Sequence, residues 1–182
     1  MTSFSIQNFG CRVNQAEAFD WAEALERGGL TLVADPARSD LVLVNSCTLT
    51  QRADRDVKKF IRKSCRENPA ARLVVTGCWA EAVRDEVANL PQVLLVLSNA
   101  EKGRLPERVL ALLGRLAPGD GGPLESAAET GTSFRSRAFL KIQDGCDNGC
   151  TFCIIPSVRG RSVSLAPEEV RDRIRRLADR GY

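Results

Sequence analysis

Two hydrophobic rhythms take turns along the first part of the chain. Leu41-Val42-Leu43-Val44 is an unbroken apolar run, the pattern of a strand covered on both faces in a parallel sheet. Arg72-Leu73-Val74-Val75-Thr76 and residues 93–97 read the same way, and 3–8 and 30–33 are shorter strands. Helical spacing fills the intervals. Ala18, Trp21, Ala22 and Leu25 share one face of a helix over 14–27; Ala53, Val57, Phe60, Ile61 and Ser64 share one face of a helix over 52–66. Further helices are predicted over 81–88 and 104–116, the second blurred at its start by Pro106. Asn14 followed by Glu17 has the form of a capping box at the start of the first helix, and Gly28-Gly29 ends it. Strands alternating with helices imply right-handed crossovers and an α/β fold with a doubly wound parallel sheet, flavodoxin-like or Rossmann-like.

The pattern then changes. Pro118-Gly119-Asp120-Gly121-Gly122-Pro123 opens a polar stretch read as a linker, which divides the chain into a domain at 1–117, a linker at 118–134 and a second domain at 135–182. In the second domain Ala138-Phe139-Leu140-Lys141-Ile142 alternates like a strand, a loop follows, and a helix starts at Pro167 with Glu168 and Glu169 favouring its positive end. One strand, one loop and one helix cannot bury their own apolar face, so this region reads as the opening of a larger β/α assembly.

Composition narrows the chemistry. With 43% hydrophobic and 27% charged residues the 182-residue chain is an ordinary globular protein, and no run approaches the ~18–20 apolar residues of a membrane span. Net charge is only +3, which neither demands nor excludes a nucleic-acid partner. There is no histidine, so this polypeptide has no imidazole base and no imidazole metal ligand. Seven cysteines, an odd number, with no apolar leader visible, fit a reducing, cytoplasmic setting better than a disulfide framework.

Six of those cysteines form two patterns. Cys146, Cys150 and Cys153 are spaced C-x3-C-x2-C in a loop loosened by Gly145 and Gly149. Such a loop folds three thiolates around one face of a small metal centre. Structural zinc usually takes paired C-x2-4-C ligands, and only one such pair is present, so iron–sulfur is the better reading while zinc stays open. Cys11, Cys47 and Cys78 each stand just beyond the C-terminal end of a predicted strand. In a parallel sheet those ends share one edge, where open α/β folds place their ligands, although cysteine there is also at home as a small buried hydrophobe. Cys65 falls beside the apolar face of its helix and reads as packing.

The flanking residues add a resemblance. Arg137-Ala138-Phe139-Leu140-Lys141-Ile142-Gln143-Asp144-Gly145-Cys146, continuing through Cys153-Ile154-Ile155-Pro156-Ser157-Val158-Arg159-Gly160-Arg161-Ser162, resembles the radical-SAM signature of the methylthiotransferases. Phe9-Gly10-Cys11-Arg12-Val13-Asn14-Gln15, Val44-Asn45-Ser46-Cys47-Thr48-Leu49-Thr50 and Val75-Thr76-Gly77-Cys78-Trp79 are similar to the three cysteine blocks of that family's N-terminal domain. The resemblance implies two [4Fe–4S] clusters, one on Cys146, Cys150 and Cys153 that binds S-adenosylmethionine, the other on Cys11, Cys47 and Cys78 that carries the sulfur to be inserted. It implies an enzyme that transfers sulfur and a methyl group to an adenosine of tRNA, with Phe152 stacking on the cofactor's adenine or packing the loop, and with an electron donor as partner. The Gly-Cys-Arg-Val-Asn and Asn-Ser-Cys-Thr-Leu-Thr blocks with Ala53-Asp54 resemble the branch acting on N6-threonylcarbamoyladenosine; Leu97-Ser98-Asn99 departs from the family's usual Val-Gly-Asn. The same family continues through a full barrel and a small RNA-binding domain, so the expectation is a truncated product, a fragment, or one piece of an enzyme whose barrel a separate chain completes, inactive alone.

Arg52, Arg55, Lys59, Arg62 and Arg66 recur at intervals of three and four and form one basic stripe. It is either a solvated face or a contact surface for an RNA backbone. Three rival functions remain open at this point: a non-catalytic iron–sulfur or zinc RNA-binding module, a methylthiotransferase of another branch (isopentenyladenosine tRNA or ribosomal protein), and a small electron carrier, which normally closes each cluster with a fourth thiol.

Overall fold

The structure, a computed structural model, describes residues 2–47, 51–114 and 138–182. The chain divides into two compact units, Met1–Glu129 and Thr130–Tyr182. The linker expected at 118–134 lies outside the described residues.

The first unit is built on five parallel strands: β1 (Ser3–Asn8), β2 (Thr31–Leu32), β3 (Leu41–Ser46), β4 (Arg72–Gly77) and β5 (Val93–Leu97). Their order is β2-β1-β3-β4-β5, the flavodoxin-like arrangement, as the alternation of rhythms predicts. Every residue of β3 is buried, which is why its sequence is continuously apolar up to Val44. Alternate residues feed opposite layers. Leu41, Leu43 and Val74 pack with Trp21 and Leu25 of α1 (Arg12–Arg27) and with Val109 and Leu110 further along the chain. Val42, Val44, Leu73 and Val75 pack with Val57 and Ile61 of α2 (Gln51–Glu67) and with Trp79, Ala80 and Val87. Helices thus cover both faces, and burial of these two layers is the main force holding the sheet flat against them.

The helical boundaries differ from expectation in three places. The first helix begins at Arg12, with Cys11 at its N-cap and no side-chain cap. Asn14 and Glu17 are buried and occupied elsewhere, so the capping box does not form. The helix expected over 81–88 is two short ones, α3 (Cys78–Ala82) and α4 (Arg84–Ala88), separated at Val83, whose φ of −133° leaves the helical region. That break lets Trp79 and Ala80 before it and Val87 after it reach the same core layer. The last helix of this unit, α5, runs from Leu105 to Leu112, with Pro106 in its first turn; residues 115 and 116 lie outside the described residues.

In the second unit, residues 138–142 form no strand. A ladder needs neighbours, and among the described residues the one backbone bond to that segment is from the Leu165 N–H to the Ile142 carbonyl, 2.9 Å. Pairing occurs one step on, antiparallel, between β6 (Gln143–Asp144) and β7 (Val163–Ser164). Between them α6 (Ile155–Arg159) follows the cysteine loop, and α7 (Pro167–Asp179) starts at the expected proline. No residue of α7 is buried. Among the described residues no helix is long and apolar enough to cross a membrane.

Candidate metal-cluster sites

In a sheet of order 2-1-3-4-5 the chain reverses its direction of winding between β1 and β3, and the crevice beyond the carboxyl ends of those strands is where ligands sit. Cys11 follows β1 and Cys47 follows β3, so the two thiols flank that crevice. Cys78 follows β4 directly. Its predecessor Gly77 is paired in register with Ser46, the residue before Cys47, so Cys47 and Cys78 each stand one residue beyond the last paired position of neighbouring strands.

The glycines of the cysteine blocks permit this approach. Gly10 has φ +153°, and a Cβ there would stand 2.8 Å from the Cβ of Cys47. Gly77 has φ +98°, and its Cβ would run into the Ser46 carbonyl oxygen. Any side chain at either position would push the thiol-bearing turns apart.

A buried polar chain lies beneath the turns. The Cys11 thiol donates to Asn14 Oδ1 at 3.3 Å; Asn14 Nδ2 donates to Asn45 Oδ1 and to the Ser46 carbonyl, both at 3.0 Å. Asn45 Nδ2 donates to the Asn14 carbonyl and to Glu17 Oε2, and Glu17 Oε2 meets Lys102 Nζ at 2.6 Å, with both charged side chains almost wholly enclosed. Ser46 Oγ donates to the Thr76 carbonyl and accepts from the Ala80 N–H, pinning the start of α3 where Cys78 stands. On the outer side Asn99 Nδ2 lies 4.0 Å from the Cys78 sulfur. The turns that carry the three cysteines are therefore fixed by side-chain bonds as well as by the ladder.

The sequence misses most of this chain. Asn14 and Glu17 look like a cap, and nothing marks Lys102 as the partner of a residue so distant along the chain. Asn45 alone carried a signal, an amide inside an otherwise apolar strand.

The second site is a loop held at both ends by aspartates. Asp144 accepts from Arg159 at 2.8 Å, from Lys141 at 3.0 Å and from the Gly145 N–H at 2.9 Å. Burial pushes its carboxyl up, but the bonds from Arg159 and Lys141 outweigh that and hold its pKa at about 2. Asp147 Oδ1 accepts from the Ser162 N–H at 3.1 Å, and the Cys146 N–H donates to the Gly160 carbonyl at 3.1 Å. Gly145, at φ +72°, packs directly on the Arg161 carbonyl, where a Cβ has no room. Cys146 and Cys153 are half-buried, Cys150 is exposed, and Phe152 is 91% exposed at the tip.

Both sites suit an iron–sulfur cluster in donor type and in setting: three thiols each, backbone turned by glycines, and none of the seven cysteines in a disulfide. Among the described residues no three Cys, Asp or Glu side chains close tightly enough around one point to grip a single ion. A cluster of four irons is wider than an ion, and its cysteines stand further apart.

The remaining predicted residues fall as follows. Arg52, Arg55, Lys59, Arg62 and Arg66 are all exposed on α2, whose Phe60 packs against Phe9 below the first cysteine turn, ring centroids 5.4 Å apart. Cys65 lies half-buried on the same helix, its thiol 3.5 Å from the Pro91 carbonyl, and burial raises its pKa.

The first unit is thus a flavodoxin-like domain with one cysteine just beyond the carboxyl end of each of β1, β3 and β4. The chain belongs to the uncharacterized protein family UPF0004, whose pattern matches residues 3–98. Over 181 residues, 99% of this chain and 41% of the relative, it is 36% identical to a threonylcarbamoyladenosine tRNA methylthiotransferase MtaB of Chlamydia pneumoniae. It is 33% identical to the protein of that name from Thermotoga maritima and 31% identical to that of Bacillus subtilis, in each case over 100% of this chain and 42% of the relative. The resemblance carried by the cysteine blocks is borne out, and the chain spans about two fifths of the length of these curated relatives.

Proposed function

We propose that this chain is the cluster-bearing portion of a radical-SAM tRNA methylthiotransferase that modifies N6-threonylcarbamoyladenosine. The observation that carries the reading is the gathering of Cys11, Cys47 and Cys78 at the carboxyl edge of three adjacent parallel strands, beside the crevice between β1 and β3. The names of the relatives support the substrate class, and a tRNA substrate together with seven cysteines outside any disulfide supports a cytoplasmic setting.

Cys11, Cys47 and Cys78 would hold one [4Fe–4S] cluster and Cys146, Cys150 and Cys153 the other, each leaving one iron without a protein ligand. Bound there with S-adenosylmethionine, and reduced by an electron donor, these groups would supply radical activation of an adenine C–H bond, the sulfur and the methyl group. The protein's own contribution is placement. The Asn14–Asn45–Glu17–Lys102 chain fixes the first set of thiols from below. Asp144 and Asp147 close the loop that carries the second set, and Phe152 projects from that loop, free to cover a bound adenine. The family relationship implies that the complete activity belongs to the longer protein, with the rest of a β/α barrel completing the second unit.

Anaerobic reconstitution with iron and sulfide tests the assignment. About eight irons per chain, two clusters of four, with a spectral change on adding S-adenosylmethionine, is the expected result. Uptake of zinc alone refutes it, and two clusters that ignore S-adenosylmethionine favour an electron carrier.

A further inference from the structure

The outer face of α2 borders an open groove of about 650 Å³. Arg55, Lys59, Arg62 and Arg66 rim it, and Cys65, Leu90 and Pro91 form its floor above the enclosed Ile61. Among the described residues none of those four cations pairs with a carboxylate, whereas the helix's other cations do: Arg52 with Asp56, Lys58 with Glu86 and Lys63 with Glu67. Like charges one helical turn apart repel, so four in line without counter-charges cost stability that an external anion would restore.

We propose that this groove seats an unpaired stretch of RNA, its phosphates on Arg55, Lys59, Arg62 and Arg66 and one base against the apolar floor. The proposal rests on the reading of the protein as a tRNA-modifying enzyme and adds where the strand runs. Three features favour this occupant. Cations three and four residues apart stand about 5–6 Å from one another, a line that successive phosphates along a strand can follow. The stripe from Arg52 to Arg66 is about 21 Å long at 1.5 Å per residue, enough for several nucleotides. The helix starts just after the turn that bears Cys47, so a strand whose base enters the switch-point crevice continues along α2. A membrane surface fits less well, because the apolar face such a helix would insert, Val57 and Ile61, is already buried against the sheet.

The test uses the full chain and a fluorescein-labelled single-stranded RNA about ten nucleotides long. Fluorescence anisotropy, measured between about 50 and 200 mM salt, should show binding that weakens steeply with salt. The double variant Arg62→Glu/Arg66→Glu should bind at least about tenfold more weakly, with its log–log salt slope shallower by about 1.4, two single-strand phosphate contacts. Lys63→Gln, on the same helix but outside the groove, should bind like the parent. RNA should also slow alkylation of Cys65 by a neutral maleimide, read at that peptide by mass spectrometry. Unchanged binding in the double variant, no RNA binding by the parent, no protection of Cys65, or displacement of RNA by polyglutamate as readily as by unlabelled RNA overturns the proposal. Iron content of the same preparations reads the methylthiotransferase assignment separately: iron uptake without RNA binding sinks only the groove, and RNA binding without iron uptake sinks only the assignment.

Discussion

Lys102 and Glu17 stand 2.6 Å apart with side chains only 2% and 3% exposed, and the pair is the far end of the polar chain that reaches Cys11. Replacing Lys102 by Met keeps roughly the same volume but leaves the Glu17 carboxylate enclosed without its cation. Breaking one partner of a buried pair costs about 3–5 kcal/mol, against a total of roughly 5–15 kcal/mol for a domain of this kind. Removing both charges together is a different experiment. In Glu17→Met/Lys102→Met neither member of the pair is left facing the gap of the other, and one loss is the bond Asn45 Nδ2 makes to Glu17, worth about 1 kcal/mol, since Asn45 Nδ2 keeps the Asn14 carbonyl. The single variant should therefore be the less stable of the two by about 2–4 kcal/mol in urea unfolding followed by tryptophan fluorescence. Iron uptake should fall from about eight per chain toward about four in the single variant, because only the site above the polar chain is disturbed. A single variant that loses less than about 1 kcal/mol, or a double variant as unstable as the single, would refute the view that the pair acts as an enclosed, mutually dependent support.

Gly77→Ala forces a Cβ onto the Ser46 carbonyl at a φ of +98°; we expect a loss of roughly 2–4 kcal/mol in thermal unfolding, with lowered iron uptake even in the folded fraction. Asp144 has a folded-state pKa below its ordinary value of 3.8, so its anchoring is fully present above about pH 4 and is lost as pH falls through about 2; loop amide shifts in NMR titration should show that window, and Asp144→Asn should loosen the loop by about 2 kcal/mol at neutral pH. Cys65→Ser should leave reconstituted iron unchanged while Cys47→Ser halves it, and equal losses in the two would contradict the separation of Cys65 from the cluster sites.

The sheet was legible because its two signals are local. A strand buried on both faces, such as β3, must be continuously apolar, and a helix resting on a sheet, such as α2, must show an apolar stripe; neither depends on distant residues. The cysteines were legible for a related reason, since residues following parallel strands all arrive at one edge. What escaped depends on pairing across the chain. Asn14 and Glu17 satisfy a local capping pattern, yet an enclosed lysine from another part of the fold and an amide on β3 offer stronger partners. The break at Val83 and the missing strand over 138–142 are likewise decided by what the segment packs against, which periodicity does not record.

The placement of the six thiols has a consequence for how the protein is assembled in the cell. Cys146, Cys150 and Cys153 are neighbours in the chain, so an unfolded nascent polypeptide already holds them close and, on the proposed assignment, would capture iron early. Cys11, Cys47 and Cys78 meet only once β1, β3 and β4 have zipped together, after two long loops have closed. On the proposed assignment, loading of the first unit would report that its sheet has matured, and in a chain arrested by mild denaturant we expect metal at the C-terminal loop while the N-terminal edge stays bare.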